Sequence, residues 1–452
     1  MSHFRTINRD TGFLLPPSVD EWLPKRHLAR FVVEIIEQLD LSKLEKAYRG
    51  TGSAPYHPAL LLGLLVYGYA TGVFSSRKLE RASYDSVAFR FIAGNEHPDH
   101  DTLAVFRKRF LPQIEALFVQ VLSLARELGM LKLGTVALDG TKIEANASRH
   151  SALSYEHATK IEAQLRQEVQ QLLQLAEAAD ELEIPDGLVI PAELERRETR
   201  LSAIAAAKVK IEARAKERFE REQAAHQQKL EARAEREKAS GKKPGGKPPA
   251  PPSATVGPTE QVNLTDEDSR IMPVPGGGFG QCFNAQALVA AGSLLIVASA
   301  VSQATVDTQQ LGPMLEKLAA LPEELGKATV MLADCGYAGA ENVAACEAAK
   351  IEPLIALKRE AHHVPWQGRF AAEAPEPANL TSVQAMRHRL ATPRGRALYA
   401  LRKQTPEPVF GIIKSVMGFR RFMLRGLPQV RGEWNLVTLS FNLKRMFALQ
   451  GA

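Results

Sequence analysis

The chain has 452 residues, which is too long for one small core, so two or three domains are expected. Hydrophobic residues make up 45% of the chain and charged residues 24%, which is ordinary for a soluble globular protein and argues against a membrane-embedded one. The net charge of +6 favours a polyanionic partner without proving one.

Cysteine usage and the chain start indicate a reducing compartment. Cys282, Cys335 and Cys346 are too few and too scattered for a disulfide framework or a four-ligand zinc site, so we expect free thiols in the cytosol. The first residues lack the apolar core of a signal peptide.

The N-terminal third is predicted to be helical, after an extended start broken by Pro16 and Pro17. Apolar residues recur at helical spacing between His27 and Leu39. His57-Pro58 and the serine pair before Arg77 are expected to begin two further helices.

A fourth helix in this region is predicted to begin at Asp101, as its cap, and to carry Arg107. Short helices with cations near their starts, among them Arg77, Lys78 and Arg107, are typical of a helix-turn-helix-like DNA-binding module. A helical dimerisation domain would show the same pattern. His97, His100 and Asp101 could also suggest a metal cluster, but turn and capping roles explain them more simply.

Two apolar segments each lead to an aspartate and then a glycine. Val136 to Leu138 precedes Asp139 and Gly140, and a second run from Ala328 to Ala333 precedes Asp334, with a glycine two residues later. We expect two buried strands, each carrying one carboxylate at its end. If the strands are neighbours, the carboxylates lie close enough to share a metal ion.

Between these segments the composition becomes rich in Ala, Glu, Gln, Lys and Arg. Two long helices are predicted at 155–182 and 192–239, separated by a Pro-Asp-Gly break at 185–187, which indicates a helical hairpin arm. It could be a solvated spacer or coiled coil, or a surface for self-association or DNA contact. A Pro-, Gly- and Lys-rich linker follows from Gly241.

The remaining pattern alternates strands and helices. Strands are predicted at 284–289, 294–298, 330–333 and 353–357, with helices at 311–318 and 341–349. This order describes an α/β domain with a mixed sheet, interrupted after its first strand by the arm.

Glu407 is the predicted third carboxylate. Pro408 favours a helix start beside it, and Lys414 lies two helical turns further on, where it could hold a phosphate. Phosphodiester chemistry suits divalent ions held by carboxylates, so we expect Asp139, Asp334 and Glu407 to bind two Mg²⁺ ions, with Mn²⁺ as a substitute. The surrounding cations suit a DNA backbone and include Arg394, Arg396, Arg402, Lys403, Arg420, Arg421, Arg425 and Arg431.

Other carboxylates compete for this role. Glu144 lies on the same predicted strand as Asp139 but on its opposite face, and Asp266 and Asp268 lie in a turn where aspartate is common.

Five segments together resemble bacterial insertion-sequence transposases of the DDE class. They are Tyr67–Arg77, His97–Thr102, Leu138–Lys142, Ala333–Tyr337 and Glu407–Gly411, and the tail from Gly418 to Trp434 is similar too. The resemblance implies a ribonuclease-H-like catalytic domain, Mg²⁺ dependence and cut-and-paste movement through binding of terminal inverted repeats. It also implies metal-ligand roles for Asp139, Asp334 and Glu407.

The resemblance further assigns a Tyr-Arg-Glu-Lys signature to Tyr399, Arg402, Glu407 and Lys414. Arg402 lies one position further from the glutamate than in the commoner form, where Lys403 stands, so either could contact the scissile phosphate. Tyr399, Arg402, Lys403, Lys414, Arg420 and Arg421 are the predicted DNA contacts of this region.

These observations predict a helical N-terminal DNA-binding or dimerisation domain at 1–128, and a catalytic domain at 129–150 and 259–452. The arm occupies 151–240 and the linker 241–258. The expected activity is DNA transposition by a cytoplasmic, nucleoid-associated bacterial protein, with double-stranded DNA and a second copy as partners. A nuclease or resolvase without strand transfer, or a catalytically inactive DNA-binding repressor, stays open at this stage.

Overall fold

The computed structural model describes residues 18–48, 55–177, 188–241, 245, 247–274, 276–357 and 380–451. The chain divides into two compact units, one formed by 1–146 with 282–452 and the other by 147–281. Almost all of the predicted extended start, and the predicted break within the arm, lie outside the described residues.

Seven helices occur in the described part of the N-terminal region, as predicted for a helical region. They are α1 Val19–Trp22, α2 Leu28–Glu37, α3 Ser42–Glu45, α4 Pro58–Thr71, α5 Ser76–Asp85, α6 Val87–Ile92 and α7 His100–Glu127. The imidazoles of His27 and His57 accept the first free N–H groups of α2 and α4. Helix α4 is apolar on nearly every face and is buried, and it ends at Gly72, which has φ of 89°.

The start of α7 differs from the prediction. Asp99, and not Asp101, caps the helix, because the Asp99 carboxylate accepts the Thr102 N–H at 2.6 Å. Asp101 lies in the first turn, where a carboxylate is favoured by the helix dipole. The nearby His100 ring pairs with Glu80 at 2.8 Å.

The central sheet of the first unit is mixed. Its strands are β1 Gly134–Glu144, β5 Phe279–Ala290, β6 Ile296–Ser302, β7 Ala328–Ala333 and β8 Glu352–Ile355, in the order β6-β5-β1-β7-β8. Strand β5 is antiparallel to β1 and β6, whereas β1, β7 and β8 are parallel. A helical N-terminal region and a mixed α/β domain are therefore present, as the sequence predicts.

The prediction that the first strand ends at Asp139 is wrong. Strand β1 continues for five residues beyond it, and Gly140 pairs with Gln286 of β5 and makes no turn. The strand persists because β5 is itself twelve residues long and pairs with β1 as far as Glu144.

Helices cover the sheet. They are α10 Leu311–Ala319, α11 Ala340–Ala348, α12 Ser382–Ala391, α13 Pro393–Gln404, α14 Pro406–Gly411 and α15 Leu427–Leu449. The buried amide of Asn442 on α15 accepts from the Ile296 N–H at 2.9 Å and donates to the Ile296 carbonyl at 2.8 Å. The C-terminal helix is thereby held against strand β6.

The same helix carries a fully buried carboxylate, Glu433. One of its oxygens accepts the Tyr69 hydroxyl of α4 at 2.6 Å, and the other accepts the N–H groups of Met423 and Leu424 at 3.0 Å each. The buried Arg107 of α7 donates to the same Tyr69 hydroxyl at 3.1 Å. This network joins the N-terminal helices to the C-terminal one.

The second unit is organised on helices α8 Tyr155–Glu177 and α9 Ile190–Ser240. Strands β2 Ala152–Ser154 and β3 Gln261–Asn263 pair antiparallel beside them. A small core is formed by Leu153, Ala158, Leu165, Ile204, Ala207, Ile211 and Val262. Strand β4 Arg270–Pro273 then leads through the Gly276–Gly278 turn into β5.

Over the described ranges, no single helix is both long and apolar enough to cross a membrane. One helix pair, Pro58–Thr71 with Ser76–Asp85, meets the length and composition together but is bent by 96°.

We predict that Glu433→Ala lowers the free energy of unfolding by on the order of 3 kcal/mol, because one buried and two partly buried donors lose their acceptor. Urea unfolding measures the loss. Glu37→Ala, which removes an exposed carboxylate from α2, is the control and should change stability by less than about 0.5 kcal/mol. Equal effects of the two substitutions would contradict the role given to Glu433.

Candidate active site

Two aspartates lie level with each other on neighbouring parallel strands. Ala137 of β1 is paired with Leu332 of β7, and Asp139 and Asp334 each lie two residues further on. Asp334 directly follows β7 and caps the 3-10 turn Cys335–Tyr337. Side chains two residues apart on a strand share a face, so both carboxylates project from the same side of the sheet.

The two carboxylates divide their oxygens in the same way. Each Oδ1 accepts a backbone N–H at 2.8 Å, from Gly140 for Asp139 and from Gly336 for Asp334. Each Oδ2 faces the Nη2 of Arg402, at 3.2 Å for Asp139 and 3.4 Å for Asp334. Local backbone bonds therefore orient both groups, and one guanidinium bridges them.

Glu407 reaches the same guanidinium from another helix. Arg402 lies in the last turn of α13, and Glu407 in the first turn of α14, with Thr405 between the helices. The Arg402 Nη1 lies 3.6 Å from the Glu407 Oε1. Glu407 is 54% exposed, whereas Arg402 is only 13% exposed, so the guanidinium forms the interior of the cluster.

The three predicted carboxylates thus converge on a cation that the chain itself supplies. In the described part of the chain, no three His, Cys, Asp or Glu side chains come together closely enough to hold a metal ion directly. The physical reason is that Arg402 stands between Glu407 and the aspartates. Carboxylate oxygens are hard donors of the kind that Mg²⁺ or Mn²⁺ prefers, so the chemistry of these three side chains suits such an ion.

Burial raises the pKa of Asp139 to about 6, and the Arg402 guanidinium opposes that rise. The negative charges of Asp334 and Asp307 add to it. Because this pKa lies above the ordinary aspartate value, protonation of Asp139 favours the folded state as the pH falls through about 6.

Lys414 and Tyr399 complete the predicted signature. The helix after Glu407 widens into a π-helical turn at Ile412–Val416, and from it the Lys414 Nζ donates to the Lys142 carbonyl of β1 at 3.0 Å. Burial lowers the pKa of Lys414. The half-buried Tyr399 packs against the apolar cluster that includes Leu332.

The remaining predicted DNA contacts of this region occupy different positions. Lys403 is exposed, and Arg420 is exposed with its Nε donating to the Lys414 carbonyl at 3.0 Å. Arg421 pairs with Glu144 at 2.8 Å. Glu144 is therefore engaged by an arginine. In the second unit, the Asp266 carboxylate accepts the Asp268 N–H at 3.2 Å, a turn role.

In the N-terminal helices, Arg77 and Lys78 are exposed on α5. Arg107 is a correction to the sequence analysis. Its side chain is buried and donates to the Tyr69 hydroxyl and, at 2.9 Å, to the Phe74 carbonyl. It is a structural residue, because its helical spacing places it on the inner face of α7.

Sequence reasoning missed one acidic residue beside the aspartates. Asp307 lies between β6 and α10, in contact with the amides of Asn284 and Gln286 of β5. It lies in a polar segment that carries no motif, so only its position next to Gly140 and Gly336 in the structure suggests a role.

Two family models match the chain, one towards each end. Residues 17–109 match a transposase domain (DUF772), and residues 375–447 match a transposase DDE domain. No curated protein and no solved structure matches the chain. The second match contains Arg402, Glu407 and Lys414, and the first contains Arg77 and Lys78.

We predict that Arg402→Met destabilises the protein by about 2–4 kcal/mol at pH 8, because two ionised aspartates lose their shared cation. At pH 5 the loss should be clearly smaller, since Asp139 is then protonated and the repulsion is relieved. Urea unfolding in EDTA at both pH values tests this. Lys403→Ala, which changes the exposed neighbouring cation, should have little effect at either pH. A loss from Arg402→Met that is equal at the two pH values would refute the assigned role.

Proposed function

We propose that this chain, which matches transposase domain models over residues 17–109 and 375–447, is an insertion-sequence transposase of the DDE class that binds the terminal inverted repeats of a mobile element and catalyses metal-dependent DNA cleavage and strand transfer. The observation that carries the proposal is the convergence of Asp139, Asp334 and Glu407 on one cation. Their positions on two strands and a helix support a ribonuclease-H-like catalytic domain.

Asp139, Asp334 and Glu407 would hold divalent ions, Mg²⁺ or Mn²⁺ and two in number. Such ions activate an attacking oxygen and stabilise the leaving oxygen of a phosphodiester. For this, Arg402 must leave the carboxylates. A phosphate suits its planar guanidinium as a bidentate acceptor, so an arriving DNA backbone offers Arg402 a new partner at the moment the carboxylates become available.

The proposed reaction has two steps. A water oxygen forms a bond to phosphorus at the element end, the bond to the 3′ oxygen breaks, and the freed strand ends in a 3′-hydroxyl. That hydroxyl then attacks a phosphorus of target DNA, and the target's own 3′ oxygen leaves. We propose that Lys414 and Arg402 hold the phosphate during both steps; the nearness of Lys414 to β1 and of Arg402 to the aspartates supports this.

DNA would be held mainly through its phosphates. The exposed cations Arg77, Lys78, Lys403 and Arg420 supply contacts of that kind. Transposition joins two element ends, so we propose a homodimer in the synaptic complex and a cytoplasmic, nucleoid-associated location. We propose the same domain boundaries as those predicted from the sequence.

We predict that Asp139→Asn, Asp334→Asn and Glu407→Gln each lower cleavage of an element-end duplex by about 10³-fold or more while DNA binding persists. A labelled duplex carrying one element end and its flank is incubated with Mg²⁺ or with EDTA. The matched control is Glu144→Gln, which removes a carboxylate from the same strand as Asp139 and should keep cleavage within about threefold.

Cleavage that survives any of the three substitutions would remove that residue from the site. Cleavage without strand-transfer products would favour the nuclease or resolvase alternative. DNA binding without metal-dependent cleavage by the wild-type protein would favour the inactive repressor.

We also predict that the double substitution Arg77→Ala/Lys78→Ala weakens binding to element-end DNA and reduces the slope of log affinity against log salt by about 1–2, because each phosphate contact releases counterions. Fluorescence anisotropy at several salt concentrations measures the slope. The control is Lys317→Ala, since Lys317 is already paired with Glu115. An unchanged slope in the double variant would exclude α5 from the DNA interface.

A further inference from the structure

Asp307 is held rigidly by strand β5 and by one lysine of β1. Its Oδ1 accepts the Asn284 Nδ2 at 2.7 Å and the Gln286 Nε2 at 2.8 Å, and the Lys142 Nζ lies 3.6 Å away. In the sheet, Gln286 is paired with Gly140, the residue after Asp139, and Asn284 is paired with Lys142, two residues further on. The Tyr337 hydroxyl donates to the Gln286 Oε1, which orients that amide so that its nitrogen faces Asp307.

The glycines beside the two aspartates make room for this carboxylate. A Cβ at Gly140 would lie 2.9 Å from the Asp307 Oδ1, and 2.3 Å from the Gln286 Nε2. A Cβ at Gly336 would lie 3.7 Å from the Asp307 Cβ and 3.8 Å from its Oδ2. Asp307 therefore stands against the residue that follows Asp139 and against the turn that begins at Asp334.

The segment around Asp307 is anchored to that same turn. The Thr308 hydroxyl donates to the Gly336 carbonyl at 3.1 Å, and the Asn342 amide donates at 2.7 Å both to the Thr308 carbonyl and to the Tyr337 carbonyl. Asp307 is 27% exposed, so its charge is only partly screened by solvent. All three of its polar contacts described above use Oδ1, and its Oδ2 lies on the side of Gly336.

We propose that Asp307 is a fourth acidic residue of the active centre, whose negative charge strengthens the binding of a divalent cation at Asp139 and Asp334. This inference rests on the proposed function. A fixed negative charge in a partly buried setting attracts a nearby cation without touching its ligands, so loss of that charge should lower metal affinity. Asp307 is placed for this effect because it lies beside Gly140 and Gly336, which adjoin the two aspartates.

The test is a titration of the full-length protein with Mn²⁺. Calorimetry measures the heat of binding, and electron paramagnetic resonance measures the free ion. Asp307→Asn keeps the shape and an acceptor oxygen for Asn284 and Gln286 but removes the charge. We expect it to bind Mn²⁺ at least about tenfold more weakly than the wild type, with an unchanged melting temperature in EDTA. Asp307→Glu, which retains the charge, should recover most of the affinity.

Lys142→Met separates this role from a structural one. It removes the cation next to Asp307 and should leave Mn²⁺ affinity within about threefold of the wild type or raise it, because a competing positive charge is lost. If Asp307 mattered only through a structural ion pair with Lys142, removing either partner would weaken Mn²⁺ binding to the same extent.

The outcomes distinguish this inference from the proposed function. Wild-type Mn²⁺ affinity in Asp307→Asn, with weakened binding in Asp139→Asn, overturns the role of Asp307 alone. Asp307→Asn protein that has lost its fold in EDTA also overturns it, in favour of a structural role. Mn²⁺ binding that is absent in the wild type, or unaffected by Asp139→Asn, refutes the carboxylate site itself.

Discussion

Three carboxylates that share one guanidinium form the constraint on which this structure depends. Parallel pairing of β1 and β7 brings Asp139 and Asp334 level on one face of the sheet, where two like charges repel each other in a partly buried setting. Arg402 relieves that repulsion, and it can do so only if helix α13 approaches the end of β7. Glu407 follows within five residues on the next helix, so the position of the arginine also determines the position of the third carboxylate.

This arrangement links electrostatics to the proposed chemistry. A guanidinium and a divalent ion compete for the same carboxylate oxygens, whereas a phosphate can accept the guanidinium. In the proposed reaction, Arg402 would exchange the carboxylates for a phosphate as the cation and the DNA enter. The fourth acidic residue, Asp307, lies outside this exchange because the amides of β5 and Lys142 fix it independently of Arg402.

A second buried network unites stretches that are far apart in sequence. The two family models match separate ends of the chain, yet Tyr69 and Arg107 from the first match share one hydrogen-bonded group with Glu433 from the second. A buried carboxylate is costly unless its oxygens find donors, and here Tyr69 donates to one oxygen and two backbone N–H groups donate to the other. The N-terminal helices and the mixed sheet therefore belong to one compact unit.

The sequence alone was enough to predict the helical N-terminal region, the strands that lead to Asp139 and Asp334, and the resemblance to DDE transposases, because apolar periodicity and local motifs are short-range signals. It could not place the end of β1, which depends on pairing with a strand more than 130 residues away, and it assigned Arg107 to DNA although its partners lie on another helix. The tertiary structure was needed to show that Arg402 lies among the carboxylates and that Asp307 lies beside Gly140 and Gly336. Both facts depend on which strands are neighbours and which helix covers their edge, and no local pattern of residues encodes that.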